Sequence, residues 1–335
     1  MNYGILLKVS IIFLGFSLTA CQQESGFVRL NGFTMGTSYQ VTLQSTKEQA
    51  NQLHQKIENR LKNINQLMST YIDDSELSKF NRSKTLDCQL VSSETYFVVR
   101  NAIEISKKTG GKFDVTLAPL ISEWGFDKKQ TSDVVPNQER IDTLLQQIGY
   151  KNIRLEKQCI QKLHENISIN LSAIAKGYGV DEIAELLTNS GIKNYLVEIG
   201  GETASMGVNP KSTPWRLAIE APIKQQRQIQ QIFSPLGLSV ATSGDYRNYF
   251  EKDGVRFSHT IDPTNGKPIT HKLVSATVLH KQTMLADAYA TAFMVMGVED
   301  SLKFAKENKL PIYLLVKNGD DFEAIYTESF KKYLL

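Results

Sequence analysis

Cysteine, histidine and tryptophan are scarce in this chain: three, five and two among 335 residues. There is no CxxC and no paired histidine spacing, so a cysteine–histidine zinc site has no local support. The phosphate-binding loop GxxxxGK(S/T), a GxGxxG after a strand, HExxH and GxSxG are all missing. P-loop hydrolysis, dinucleotide-fold redox chemistry, zinc proteolysis and serine-hydrolase chemistry therefore lose their usual sequence basis. Charge of one sign is not concentrated anywhere either. A net charge of +3, with no basic block or stripe, leaves a nucleic-acid partner without its electrostatic footprint. No repeat of fixed period and no low-complexity tract is present.

What remains is an ordinary globular composition, 41% hydrophobic and 22% charged, with core enough for one large domain. The N-terminus departs from it. "MNYGILLKVSIIFLGFSLTAC" carries one basic residue, Lys8, then an apolar run too short for a comfortable membrane span, then small residues before Cys21. Residues 1–20 read as an export signal. Leu18-Thr19-Ala20-Cys21 resembles a bacterial lipobox, which makes Cys21 the lipidated first residue and residues 21–29 a tether to a domain spanning 30–335. The expectation is an exported lipoprotein, anchored in the membrane at Cys21 and facing the periplasm. A plain secretory signal or an uncleaved anchor is the other reading. Cys88 and Cys159 are left; an oxidising compartment permits a disulfide, and the sequence leaves their pairing open.

Along the chain, "FVRLNGFTMGTSYQVTL" reads as two strands around a glycine turn. Leu53, Ile57, Leu61 and Ile64 recur at helical spacing from about Lys47 to Met68. Further helices are expected in "SSETYFVVRNAIEISKKTGG", "VPNQERIDTLLQQIG" and "GYGVDEIAELLTNSG". Short strands are expected at "NIRLE", "SINLS", "NYLVEIGG", "WRLAIEAP", "LSVATSG", "SHTID" and "SATVL". Strands following one another without a helix between, such as "NYLVEIGG" and "WRLAIEAP", imply antiparallel pairing. The fold class is therefore α+β: a single domain with a mixed, largely antiparallel sheet and flanking helices.

Chemistry concentrates in polar, glycine-punctuated turns at strand ends. In "TMLADAYATAFMVMG" an aspartate, Asp287, interrupts an apolar helix-forming run, and Thr291 shares its face at i+4. One reading is helix-start chemistry, with Thr283 as N-cap and Asp287 near the first turn. The other is a hard-cation site of carboxylate and hydroxyl oxygens. "INLSAIAKGYGVDEIAELL" runs from a strand into a helix, where backbone N–H groups and Lys176 suit a phosphate; a solvated lysine is the alternative. "GGKFDVTLAPLISEWGF" holds Asp114, and "FSHTIDPTNGKPI" holds His259 beside turn residues; a lone histidine is also a common structural residue.

"TMGTSY", "MSTY", "GKFDVTLAPL", "LSAIAKGYGVD", "VEIGGE", "ATSGDY", "SHTIDPTNGKP" and "LADAYATAFMVMG" resemble, in order and spacing, the motifs of the ApbE family. That family comprises FAD:protein FMN transferases, many of them exported lipoproteins, with a fold related to the T-fold. The resemblance implies Mg²⁺-dependent chemistry on FAD as substrate. A threonine hydroxyl of an acceptor protein takes FMN through a phosphoester, and AMP leaves. Acceptors in the family include subunits of sodium-pumping and electron-bifurcating respiratory redox complexes. Hydrolysis of FAD to FMN and AMP is the near alternative, and a lipid-anchored flavin-binding protein without catalysis is a third reading.

By the same resemblance, the metal ligands fall on Asp287, Thr291 and Ala173, the last through its backbone carbonyl. Flavin-nucleotide contacts fall on Met35, Tyr71, Phe113, Asp114, Val115, Asn170, Lys176 and Ile261. Met35 and Tyr71 suit a large aromatic ligand. Asn170 stands where the family usually has aspartate, which keeps an acceptor and loses the charge. Asp287 and His259 are the candidates for the catalytic base, with a structural or phosphate-contacting role equally open to His259.

Overall fold

The structure, a computed structural model, describes residues 25–126, 135–223, 228–245, 249–252, 255–319 and 321–335. The export signal and the lipidation site Cys21 lie outside these residues. The first hairpin is β1 (Gly26–Thr34) and β2 (Thr37–Ser45). Its two turn residues, Met35 and Gly36, have φ of +50° and +75°, the turn hand that matches strand twist. Gly26 through Arg29 pair with Ser45 through Thr42, so the folded region begins inside the stretch expected as tether. Helix α1 (Lys47–Met68) has the expected bounds. Thr46 caps it by accepting the Gln49 N–H, and Leu53, Ile57, Leu61 and Ile64 are buried.

Next come α2 (Glu76–Arg82), β3 (Gln89–Leu90), α3 (Ser93–Lys108), α4 (Ala118–Glu123), α5 (Gln138–Leu145), β4 (Ile153–Glu156) and β5 (Cys159–Lys162). A disulfide joins Cys88 to Cys159, with Cα atoms 5.5 Å apart, and so staples the edge of the small sheet β3-β5-β4. Closing a loop of 71 residues stabilises the fold by about 4 kcal/mol in the chain-entropy account.

"SINLS" is not a strand. Ile167, Ile169 and Leu171 do alternate into the core, yet the segment pairs with no strand among the described residues. The Ile169 N–H donates to Asn81 Oδ1, Asn81 Nδ2 donates back to the Ile169 carbonyl, and the Asn170 N–H donates to the Val115 carbonyl. An asparagine side chain and a loop carbonyl thus replace the ladder that the apolar alternation led one to expect.

Helix α6 (Ala175–Asn189) leads to β6 (Tyr195–Ile199) and β7 (Glu202–Met206), a hairpin turning on Gly200 and Gly201 at φ +62° and +106°. β8 (Leu217–Glu220) pairs with β9 (Ile229–Phe233), not with β6; the tight glycine turn gives β6 its partner first. Then follow β10 (Ser239–Gly244), the ribbons β11 (Tyr249–Lys252) with β12 (Val255–Ser258) and β13 (Ile261–Asp262) with β14 (Lys267–Pro268), and β15 (Leu273–His280). The chain ends with α7 (Thr283–Glu307), β16 (Ile312–Asn318), β17 (Asp321–Tyr326) and α8 (Glu328–Lys331).

The main sheet has the order β1-β2-β6-β7-β10-β15-β16-β17, and each of its pairings is antiparallel. The fold is α+β. Its two faces are read off β16: Ile312 and Leu314 join the core under α7, while Tyr313 and Leu315 join Phe330 and Tyr333 on the other face. α1 and α6 cover β2 and β6. Ala286, Ala288, Ala290 and Ala292 are all fully buried, so this part of α7 is enclosed on opposite faces. No helix among the described residues is long and apolar enough to cross a membrane.

Candidate active site

α6 and α7 cross where neither can carry an extra atom. A Cβ on Gly177 would lie 2.5 Å from the Thr283 carbonyl oxygen and 2.6 Å from Met284 Cα. At this crossing the helices exchange caps. Asp287 Oδ2, from α7, accepts the Gly177 N–H at 3.0 Å. Asp181, from α6, accepts the N–H groups of Thr283 and Met284 at 2.7 and 2.9 Å. Each carboxylate sits where backbone donors are otherwise orphaned and the helix dipole is positive. The helix-start reading is thereby revised. The N-cap of α7 is Gln282, which makes no side-chain cap bond, and Asp287 serves the start of α6 instead of its own helix.

The crossing delivers Lys176, the second residue of α6, to Asp287. Its ammonium lies 3.5 Å from Asp287 Oδ1 and 3.4 Å from Glu202 Oε1. Both carboxylates are almost wholly buried. Burial alone would lower the Lys176 pKa, but the charges of Asp287 and Glu202 outweigh it and raise it. Glu202 is pushed up to about 8 by burial, with Asp287 adding repulsion and Lys176 opposing. The other Glu202 oxygen, Oε2, is buried without a hydrogen-bond partner among the described residues, which is costly for a carboxylate unless something else meets it.

This trio lines a cavity of about 320 Å³ that also gathers Phe113, Asp114, Asn170, Ala173, His259, Ile261 and Thr291. Thr291 Oγ1 stands 3.1 Å from Ser243 Oγ, one turn along α7 from Asp287. Asp114 is engaged on both oxygens: Oδ1 accepts the Thr116 N–H and hydroxyl, Oδ2 the Tyr150 N–H. Burial raises its pKa in spite of these bonds. Asn170 Oδ1 accepts the Ser172 N–H, which shapes the turn before α6. Val115 is buried away from the cavity and acts through its carbonyl, the anchor of Asn170. His259 packs edge-on to Phe126. Asp245 lies within electrostatic reach of it, its pKa raised by burial against the attraction of Arg256 and His259.

Met35 and Tyr71 line a second cavity of about 650 Å³, which shares Lys176 and Ser172 with the first. The expected contacts therefore fall into two compartments that meet at one lysine. Together these volumes suit a ligand of dinucleotide size. Met35 reaches in from its hairpin turn toward Gly179, where a Cβ would lie 2.9 Å from the methionine methyl carbon.

Among the described residues no cluster of three or more His, Cys, Asp or Glu forms a metal cage. Two carboxylates, Asp287 and Glu202, and two hydroxyls, Thr291 and Ser243, do share the wall of one cavity. Hard oxygen donors in that number fit a magnesium ion that keeps water and phosphate oxygens as its remaining ligands. Glu202, Ser243 and Asp181 were not singled out by the sequence. Glu202 did stand in "VEIGGE", and an acidic residue directly after a Gly-Gly turn, opening a strand, was the available signal.

Residues 35–314 match the model of the ApbE family. The chain is 43% identical over 319 residues to the FAD:protein FMN transferase of Vibrio cholerae serotype O1, covering 95% of this chain and 96% of that protein. Against the FAD:protein FMN transferase of Escherichia coli K12 it is 36% identical, over 91% of this chain and 89% of that one. Its fold is similar to the solved flavin transferase ApbE from Vibrio cholerae, with a TM-score of 0.86 at 42% identity over 92% of this chain and all of that chain. The apo flavinyl transferase ApbE of Pseudomonas stutzeri gives 0.85 at 34% identity, over 93% and 98%. By sequence, coverage and fold together, the chain belongs to the ApbE family.

Proposed function

We propose that this chain is a Mg²⁺-dependent FAD:protein FMN transferase that moves FMN from FAD to a threonine hydroxyl of an acceptor protein and releases AMP. The observation that carries the reading is Lys176, held by Asp287 and Glu202 at the joint of the two cavities. A cation at the N-terminus of α6 and at the middle of a dinucleotide-sized site is where a pyrophosphate is best placed. The relatives' names supply the substrate and the transfer.

In this reading the acceptor oxygen forms a bond to the FMN phosphorus and the bridging P–O bond to AMP breaks. The hydroxyl proton passes to a base, for which His259 and Asp287 both line the cavity. Asp287, Thr291 and the Ala173 carbonyl would hold the magnesium, with Glu202 beside them. The ion would neutralise charge on the pyrophosphate oxygens. Lys176 adds its own charge to the phosphates, Met35 and Tyr71 receive an aromatic end of the nucleotide, and Phe113 and Ile261 exclude water around the other.

Export and lipidation at Cys21, with the domain facing the periplasm and acceptors among membrane-bound respiratory redox subunits, complete the proposal. The Cys88–Cys159 disulfide supports an oxidising compartment. Incubation with FAD and Mg²⁺, with and without an acceptor, tests the reaction. Flavin that stays on the acceptor after denaturation, with matching AMP release, is the expected result. AMP release at the same rate without acceptor would make the protein an FAD pyrophosphatase, and intact FAD would make it a flavin carrier.

A further inference from the structure

β7 and β10 are neighbours in the sheet yet meet at one paired position, Val240 opposite Thr203. Beyond it they diverge. Ala241 through Gly244 pair with Val278 through Ser275 of β15 on one side, and with no strand on the other side among the described residues. A groove of about 520 Å³ fills the divergence, with Gly200, Gly201 and Thr203 on one bank, Thr242 and Gly244 on the other, and β8 as its wall. The Thr203 hydroxyl is buried and has no hydrogen-bond partner among the described residues, so a polar group is wanted there. An unpaired strand edge is a template for an added strand.

The groove adjoins the reaction cavity, since Gly200, Thr242 and Gly244 line both. Gly200 packs closely at this boundary: a Cβ there would lie 2.8 Å from Thr37 Cγ2 and 3.4 Å from Lys176 Cδ. The walls carry Arg216, Glu198 and Glu220, charges of both signs that suit a polypeptide backbone better than a lipid or a second nucleotide. We propose that the groove binds an extended segment of the acceptor protein as a strand added along β10, with its hydroxyl residue passing Gly200 toward Lys176 and Glu202. The proposal rests on the transferase reading above and adds where the acceptor enters.

A library of eleven-residue peptides with one central threonine, incubated with the full chain, FAD and Mg²⁺, gives the probe: a peptide that keeps flavin after denaturation. Ala218→Trp fills the groove from the exposed face of β8, and Arg216→Glu reverses its charge without adding bulk, which covers the case that the tryptophan variant fails to fold. Each should raise the peptide KM about tenfold or more, with thermal midpoint and FAD affinity unchanged. An analogue with valine for threonine should bind the wild type and protect the amides of 241–244 from hydrogen exchange. Unchanged peptide kinetics in both variants would overturn the proposal, and so would weakened FAD affinity, which would give the groove to the nucleotide. If no peptide is labelled while FAD is still cleaved to AMP, an extended segment is not what is recognised, and the groove proposal falls. If FAD is not cleaved at all, with or without a protein acceptor, it is the transferase reading that falls.

Discussion

Asp181 and Asp287 each hold the start of the helix that carries the other: Asp181 takes the first two N–H groups of α7, and Asp287 takes the Gly177 N–H of α6. One carboxylate is spent on geometry alone. The other keeps an oxygen, Oδ1, turned to Lys176, so the pair fixes both the crossing and the charge at its centre.

Asp181→Ala should therefore destabilise the fold without touching the chemistry directly. Two buried N–H groups lose their acceptor, at a cost of about 2–4 kcal/mol. Urea unfolding checks this, with the midpoint falling and the m-value unchanged. Asp181→Asn, which keeps one acceptor oxygen, should recover part of the loss.

Gly177→Ala tests the crossing itself. Its methyl meets backbone atoms of Thr283 and Met284, which cannot rotate away as a side chain would. A loss of about 3 kcal/mol or more is expected, together with weakened FAD binding, because Lys176 and Asp287 sit on the two helices that must part. The readouts are calorimetry and FAD affinity.

Glu202 gives a pH signature. Its folded pKa, raised by burial to about 8, stands above the ordinary glutamate value of 4.5, so the folded state binds a proton that the unfolded state has released between those values. Its contribution to stability is full below pH 4.5 and is lost as pH rises through 8. Glu202→Gln removes that loss. The variant should gain on the wild type as pH rises from 5 to 8.5, by at most about 1.4 kcal/mol per unit, in metal-free protein followed by denaturant titration.

Reduction of Cys88–Cys159, or Cys159→Ser, should lower stability by up to about 4 kcal/mol and leave FAD affinity unchanged. The bond staples β3 to β5, and neither cysteine lines the two cavities.

The sequence carried the parts of this site that depend on local spacing. Asp287 and Thr291 declare themselves by i,i+4 placement, α1 by four apolar residues in register, and the β1–β2 turn by its glycine. What depends on distant partners stayed hidden. Asp181 looks like any helical aspartate until α7, about a hundred residues on, lays its N-terminus against it. "SINLS" has a strand's alternation, but Asn81 and Val115 take its hydrogen bonds. Glu202 could be seen only as a residue after a turn, since the burial that lifts its pKa comes from the packing of α6 and α7 on the sheet.

The account stands most directly on Asp287→Asn. The amide oxygen can still accept the Gly177 N–H, so the helix crossing survives, while the charge facing Lys176 and the proposed magnesium is gone. AMP release from FAD, with an acceptor present, should fall about 100-fold or more in a variant that still unfolds cooperatively, and the wild type treated with a chelator should fall likewise. AMP release within about threefold of the wild type would contradict the assignment of Asp287 to the reaction centre.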